Sequence, residues 1–189
     1  MWDLPYSVVL GGEKYEITNE CDYRVILDCF QVMGDEELDG AEKARCLLEI
    51  FYKNTSGISN FDEAYAEMFK VIHNGEPKRI EAQDGEQQSQ SPIYDWAYDW
   101  KLIAPAVSRV LGYEIRKPNI YTHWYTFFGA FNELPPDCLF RRVVDIRLKM
   151  RSGGLTDKND LAFFESNRDL IILPDTLTSE EQEYLDSAW

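Results

Sequence analysis

The sequence predicts a mainly helical α+β protein, in which an N-terminal β-hairpin packs on a helical bundle and the C-terminal part is all-helical. Three observations lead to this fold class. A short alternating segment surrounds Gly11-Gly12, apolar residues recur every three or four positions along most of the remaining chain, and a polar stretch interrupts this pattern. The length of 189 residues suits one domain or two small ones, and 44% hydrophobic residues can form a core.

A β-hairpin is expected between Ser7 and Ile17. The segment SVVL is apolar and rich in β-branched residues, and EKYEI alternates polar with apolar residues. Gly11 and Gly12 tolerate the positive φ angles of a tight type I′ turn. Because a two-stranded hairpin is only marginally stable alone, it must pack on helices or on the strands of another copy.

Three amphipathic helices are expected after the hairpin. Asn19 or Asp22 can cap the first, and Asn60 can cap the third, with Glu63 at the capping-box position. The buried stripe of the third helix is expected to begin at Phe61. The three helices are predicted at residues 22–33, 41–52 and 60–73.

A polar stretch at 75–92, rich in Gln, Ser and Gly, predicts a linker or mobile loop. It separates an N-terminal part, 1–74, from a C-terminal helical part, 93–189. The charge divides unevenly, because residues 1–90 hold 8 basic and 19 acidic side chains (net −11), whereas residues 91–189 hold 11 and 15 (net −4). The N-terminal part is therefore the acidic one.

The C-terminal part is expected to be helical throughout, apart from a short strand or extended stretch at 170–173. Pro105 should kink or interrupt the first of its helices. Asp137 is a candidate cap for the third helix, and Thr156 or Asp157 for the fourth. The helices are predicted at 93–111, 120–131, 138–150, 158–166 and 179–187.

The overall composition excludes several classes of partner. A net charge of −15 argues against binding to nucleic acid or to anionic membranes, since both require basic residues. No stretch approaches the roughly 20 apolar residues of a membrane span, and the N-terminus lacks the features of a signal peptide. The four cysteines fit no common zinc spacing and are interpreted as reduced, packed thiols.

Candidates for chemistry are few. Asp95 and Asp99 lie four residues apart, so they could hold a divalent cation or simply solvate a helix face, and the second interpretation is favoured because no third ligand is suitably spaced. His73 and His123 have no nucleophile nearby in sequence, although Cys138 could approach one of them in space. No nucleotide-binding, zinc-protease or serine-hydrolase motif occurs, so we expect neither an enzyme nor a cofactor.

Two side-chain stripes between Asn119 and Arg151 suggest a protein-contact surface. The aromatic stripe is helically spaced, which is typical of a core, although exposed aromatics also mark interfaces. The basic stripe either docks acidic groups of a partner or another copy, or pairs internally with the acidic N-terminal part; phosphate binding is a weaker third interpretation. The predicted contact residues are Trp124, Phe128, Phe131, Arg141, Arg142 and Arg147, and the basic stripe also includes Lys149 and Arg151.

Four segments together resemble the bacteriophage gp-fifteen family of long-tailed phages and prophages of low-GC Gram-positive bacteria. In chain order they are LPYSVVLGGEKYEI, DYRVILDCF, YDWAYDWKLIAPAVSRVLGYEI and THWYTFFGAFNELPPDCLFRRVVDIR. The most specific part is the succession from His123 to Arg147. Genes of this family typically lie between those of the major tail protein and the tape measure protein, where tail assembly chaperones are encoded.

The resemblance implies a non-catalytic tail assembly chaperone, which binds the tape measure protein and keeps it soluble before the tail tube polymerises. The major tail protein and further copies of the chain are additional partners that this role allows. Such a protein would act in the cytoplasm of the bacterial host and be absent from the mature virion. The alternative is a structural minor tail or connector component. An acidic mimic of nucleic acid is a further, less favoured interpretation.

Overall fold

The computed structural model of the protein describes residues 3–74 and 93–173. The chain divides into two compact units, the first formed by Met1–Asp84 with Ile115–Asn132 and the second by Gly85–Glu114 with Glu133–Trp189. The described part is mainly helical with an N-terminal two-stranded antiparallel hairpin, which confirms the predicted fold class. The expected linker at 75–92 and the expected helix at 179–187 lie outside the described residues.

The described elements follow one another in the predicted order. After the hairpin a left-handed turn, Thr18–Cys21, leads into the first helix. The strands and helices are β1 (Ser7–Leu10), β2 (Glu13–Glu16), α1 (Tyr23–Gly34), α2 (Gly40–Phe51), α3 (Phe61–Ile72), α4 (Trp100–Leu111), α5 (Trp124–Asn132), α6 (Leu139–Arg151), α7 (Lys158–Ser166) and α8 (Arg168–Ile171).

The hairpin forms because its two central glycines adopt conformations that other residues resist. Gly11 and Gly12 have φ angles of +56° and +90°. Ser7 pairs with Glu16 and Leu10 pairs with Glu13. Side chains alternate between the two faces of a strand, and one face of β1 carries the buried residues Val8 and Leu10. The hairpin contacts α3, which supplies the packing that two strands cannot provide for themselves.

Helix starts are fixed by short polar side chains. The carboxylate of Asp22 accepts a hydrogen bond from the Arg24 backbone N–H at 3.0 Å, and the carboxylate of Asp157 accepts one from the Asn159 backbone N–H at 2.8 Å. Both residues are therefore helix caps, as predicted. Asn60 likewise caps α3. At α6 the predicted cap is wrong, because Cys138 Sγ rather than Asp137 accepts the Arg141 N–H, at 3.5 Å.

Three local predictions are corrected by the structure. Helix α4 begins at Trp100 and continues through Pro105 without interruption, because its buried residues on either side hold it in the core. Phe61 is 60% exposed at the first turn of α3. Leu170 and Ile171 belong to the short helix α8 instead of a strand, since periodicity cannot distinguish helix from strand in so short an apolar run.

The core of the first unit is built around Trp124. Its side chain is fully buried, its indole Nε1–H donates to the Ile72 carbonyl at 2.9 Å, and its ring stacks on Phe127 at 5.7 Å. Phe127 in turn stacks on Tyr23 with ring centroids 4.7 Å apart. Helices α1, α3 and α5 therefore meet at one aromatic cluster. Within it the indole N–H of Trp124 has a hydrogen-bond partner, as a buried tryptophan requires.

The buried hydroxyl of Tyr52 gives a test of this unit. It donates to the Ala64 carbonyl at 2.7 Å and links the end of α2 to α3. Tyr52→Phe should lower the free energy of unfolding by about 1–2 kcal/mol, because the Ala64 carbonyl loses a partner in a buried place. Urea denaturation followed by circular dichroism measures this. Tyr65→Phe is the matched control on α3, and an equal loss in both variants would contradict the assignment.

Candidate functional site

Within the described part of the second unit, the most buried ion pair joins Arg147 on α6 to Asp99, which immediately precedes α4. The guanidinium binds both carboxylate oxygens, at 2.7 and 2.8 Å, and both residues are buried. The remaining donors reach the carbonyls of Ile93, Leu170 and Ile171 at 2.7–3.1 Å. All five guanidinium N–H groups are thus satisfied, as burial of an arginine requires.

The interpretation of Asp95 and Asp99 as a solvated face is therefore wrong for Asp99, whereas Asp95 is exposed. Asp99 is fully buried against Arg147, and its carboxylate also accepts the Asp95 backbone N–H at 3.0 Å. Asp95 uses its own carboxylate to accept the Tyr98 N–H at 2.6 Å. Asp99 and Arg147 are 48 positions apart, and no local sequence pattern indicates that they form an ion pair. Each aspartate has a structural role.

Other cations of the basic stripe pair within the second unit as well. Arg142 and Lys149 both contact Asp145 and Asp160. The Lys149 ammonium and the Arg142 guanidinium hold the pKa of the Asp160 carboxyl below its usual value. Arg142 and Lys149 therefore pair with Asp145 and Asp160 of the second unit, so the predicted pairing with the acidic N-terminal part is wrong for these two residues. Arg141 and Arg151 are half-buried.

The aromatic stripe lies in the first unit and is largely core. Trp124 and Phe131 are buried, whereas Phe128 is half-buried and stacks on Trp124 at 5.3 Å. The six predicted contact residues therefore fall into two groups: Trp124, Phe128 and Phe131 belong to the first unit, and Arg141, Arg142 and Arg147 to the second. Burial gives Trp124, Phe131 and Arg147 a structural role, and a contact role for any of the six stays a prediction.

Residues 115–123 are tied to the start of α1 by a charged pair. The carboxylate of Asp22 accepts the Thr122 N–H at 3.1 Å and pairs with Arg24 at 3.1 Å. The Arg24 guanidinium donates to the carbonyls of Ile115, Lys117 and Ile120 at 2.6–3.1 Å. This anchoring explains why a segment distant in sequence joins the first unit.

His123 is a buried helix cap. Its Nδ1 accepts the Tyr125 N–H at 3.0 Å, and its Nε2 donates to the Pro5 carbonyl at 3.0 Å. This pattern requires the neutral imidazole with the proton on Nε2. Burial lowers the pKa of His123 below its ordinary value, despite the opposing effects of Pro5 and Asp22.

Three of the four thiols are buried, whereas Cys46 is half-buried. Cys21 and Cys29 are buried, and burial raises the pKa of each thiol to about 12, which leaves them protonated at neutral pH. Cys138 is a helix cap. Among residues 3–74 and 93–173, no group of three or more His, Cys, Asp or Glu residues could hold a metal ion. No helix of these residues is long and apolar enough to cross a membrane.

A groove of about 790 Å³ on the first unit was not predicted. Its wall includes a left-handed turn in which Asn19, Glu20 and Cys21 have φ angles of +47°, +55° and +61°. Such angles cost roughly 1–2 kcal/mol per non-glycine residue, and the turn is held by the Tyr121 hydroxyl, which donates to the Glu20 carbonyl at 2.8 Å. The lining residues are Tyr6, Ser7, Lys14, Glu16, Ile17, Thr18, Asn19, Glu20, Lys53 and Tyr121.

Comparison with known proteins gives one family. A family model described as Bacteriophage Gp15 protein matches residues 1–166, which include the whole of the first unit and part of the second. No curated protein and no solved structure gives a significant match.

Removal of the Arg147 guanidinium should destabilise the protein strongly. Arg147→Ala leaves the Asp99 carboxylate buried without its partner, and we expect a loss of about 3–5 kcal/mol in the free energy of unfolding. Arg109→Ala, at an exposed position on α4, is the control and should change it by less than about 0.5 kcal/mol. Chemical denaturation measures both, and a small effect at Arg147 would show that the pair is dispensable.

His123 should make stability depend on pH. Because its folded pKa is lowered, the unfolded chain takes up a proton below about pH 6.5 while the folded chain resists it. The stability contributed by His123 is therefore complete above that pH and is lost as the pH falls through the folded pKa. Unfolding free energies from pH 7.5 to 5.5 should decline more in the wild type than in His123→Asn, in which the side chain can still cap α5 but cannot titrate. Parallel curves would contradict this.

Proposed function

Because the chain belongs to the Bacteriophage Gp15 protein family, we propose that it is a tail assembly chaperone that binds the tape measure protein and keeps it soluble before the tail tube polymerises. The match over residues 1–166 carries this proposal, together with the gene position next to the tape measure gene that the resemblance implies. In this role the protein acts in the host cytoplasm, binds without catalysis and is absent from the mature virion.

The charge of the chain supports a solubilising role. The net charge of −15 makes copies of the chain repel one another and favours solubility when many are bound to one partner. Within the described residues the charge is concentrated in the first unit, which holds 15 acidic and 8 basic side chains, while the second holds 10 and 9. The less acidic second unit can therefore approach an acidic surface with less repulsion than the first.

Apolar side chains that remain exposed supply contact area for a helical partner. Leu139 and Leu148 on α6 are 46% and 49% exposed, and Arg142 of the same helix is partly exposed. Phe128 is also accessible in part. Exposed leucine, phenylalanine and arginine side chains are suited to cover apolar stretches of another protein. Substitutions at these positions test the proposed contact better than a substitution of Trp124, which would disturb the core.

Co-expression with the adjacent tape measure protein tests the proposal. We expect a soluble complex that contains several copies of the chain per tape measure protein, measured by size-exclusion chromatography with light scattering. A tape measure protein that stays insoluble without forming a complex would contradict the chaperone role. Detection of the chain in purified virions would then favour the structural minor tail or connector component.

A further inference from the structure

The groove of the first unit lies along the solvent-facing side of the hairpin. Ser7, Lys14 and Glu16 line it from the hairpin, and all three lie on the face opposite the buried Val8 and Leu10. The left-handed turn and Tyr121 form the other wall. Ser7, Lys14, Glu16 and Tyr121 lie outside the aromatic cluster of Trp124, Phe127 and Tyr23, so the groove is a separate feature of the unit.

The edge of β2 carries backbone groups that face away from β1. The Ile17 N–H donates to the Tyr6 carbonyl at 3.0 Å, so these two residues form a hydrogen-bonded pair. Hydrogen-bonded and non-hydrogen-bonded pairs alternate along an antiparallel ladder. By this alternation the N–H and C=O groups of Lys14 and Glu16 point outward. The Glu16 carbonyl accepts the Lys53 N–H at 3.1 Å, whereas the outward groups of Lys14 have no hydrogen-bond partner within residues 3–74 and 93–173.

The side chains of the groove add aromatic surface and alternating charge. Tyr6 and Tyr121 line it and are 47% and 46% exposed. The Glu16 carboxylate, 2.7 Å from the Lys53 ammonium, raises the pKa of Lys53, and the Glu20 carboxylate adds to this effect. The lining thus presents two lysines and two glutamates, so it attracts neither strongly acidic nor strongly basic ligands as a class.

We propose that this groove binds an extended segment of a partner polypeptide, which adds to the edge of β2 at Lys14 and lays an apolar side chain against Tyr6 and Tyr121. Addition of a strand to an exposed sheet edge supplies main-chain hydrogen bonds, and an adjoining aromatic surface supplies selectivity for side chains. The unpaired backbone groups of Lys14, two half-exposed rings and balanced charges suit a polypeptide better than a polyanion. In the tail assembly role the segment belongs to the tape measure protein, and in this respect the inference rests on the proposed function.

Hydrogen exchange at single-residue resolution tests the site in the purified complex of the chain with the tape measure protein. The Lys14 amide should exchange at least tenfold more slowly in the complex than in the free chain, because the added segment accepts its N–H. The Val9 amide is the matched control, since Val9 is the cross-strand partner of Lys14 on β1 but does not line the groove. Its exchange should be unchanged.

Two substitutions separate the backbone group from the side chain. Lys14→Pro removes the outward N–H without removing a bond to β1, since proline is compatible with an edge position of this kind. Lys14→Ala keeps the N–H and removes only the charge. We expect Lys14→Pro to weaken the complex about tenfold more than Lys14→Ala, with thermal melts showing that both variants fold.

The outcomes separate this inference from the proposed function. A complex in which the Lys14 amide is unprotected would overturn the proposed binding of a segment in the groove and would leave the chaperone role intact. Failure of any complex to form overturns both. The Lys14 amide could instead become protected in the chain alone, to an extent that follows its self-association at high concentration. That result would assign the strand edge to a second copy of the chain and overturn the partner polypeptide as its occupant.

Discussion

The return of residues 115–132 into the first unit is the constraint on which the rest of this structure depends. Trp124 is fully buried there, and the Asp22–Arg24 pair binds the backbone that precedes it. Without this segment, α1 and α3 would lose the aromatic residues that fill the space between them. The chain therefore passes from the first unit to the second and back, so neither unit is a continuous stretch of sequence.

The second unit is organised by a different kind of interaction. Arg147 gathers Asp99, Ile93 and the last turn of α8 around one buried guanidinium. A buried ion pair contributes little net stability compared with an apolar alternative, but loss of one partner is costly. Its directional hydrogen bonds fix where the non-helical residues before α4 and the end of the described chain must lie. The pair thus specifies an arrangement that apolar packing alone would leave loose.

These roles change which surfaces are available for binding. The aromatic and basic stripes that stand out in the sequence are used in large part to build the two units, through Trp124, Phe131 and Arg147. The protein contacts proposed above then depend on less conspicuous residues, such as the exposed leucines of α6 and the groove beside β2.

The sequence by itself determined the fold class, the hairpin and most helices, because glycine pairs, caps and apolar periodicity act over a few residues. Gly11-Gly12, Asn60 and Asp157 each specify a local structure that nearby residues suffice to form. The pairing of Asp99 with Arg147, the left-handed turn and the groove were decided only by the tertiary structure. They join groups that are far apart in the chain, and no local pattern records which distant group a buried charge or strained turn will meet.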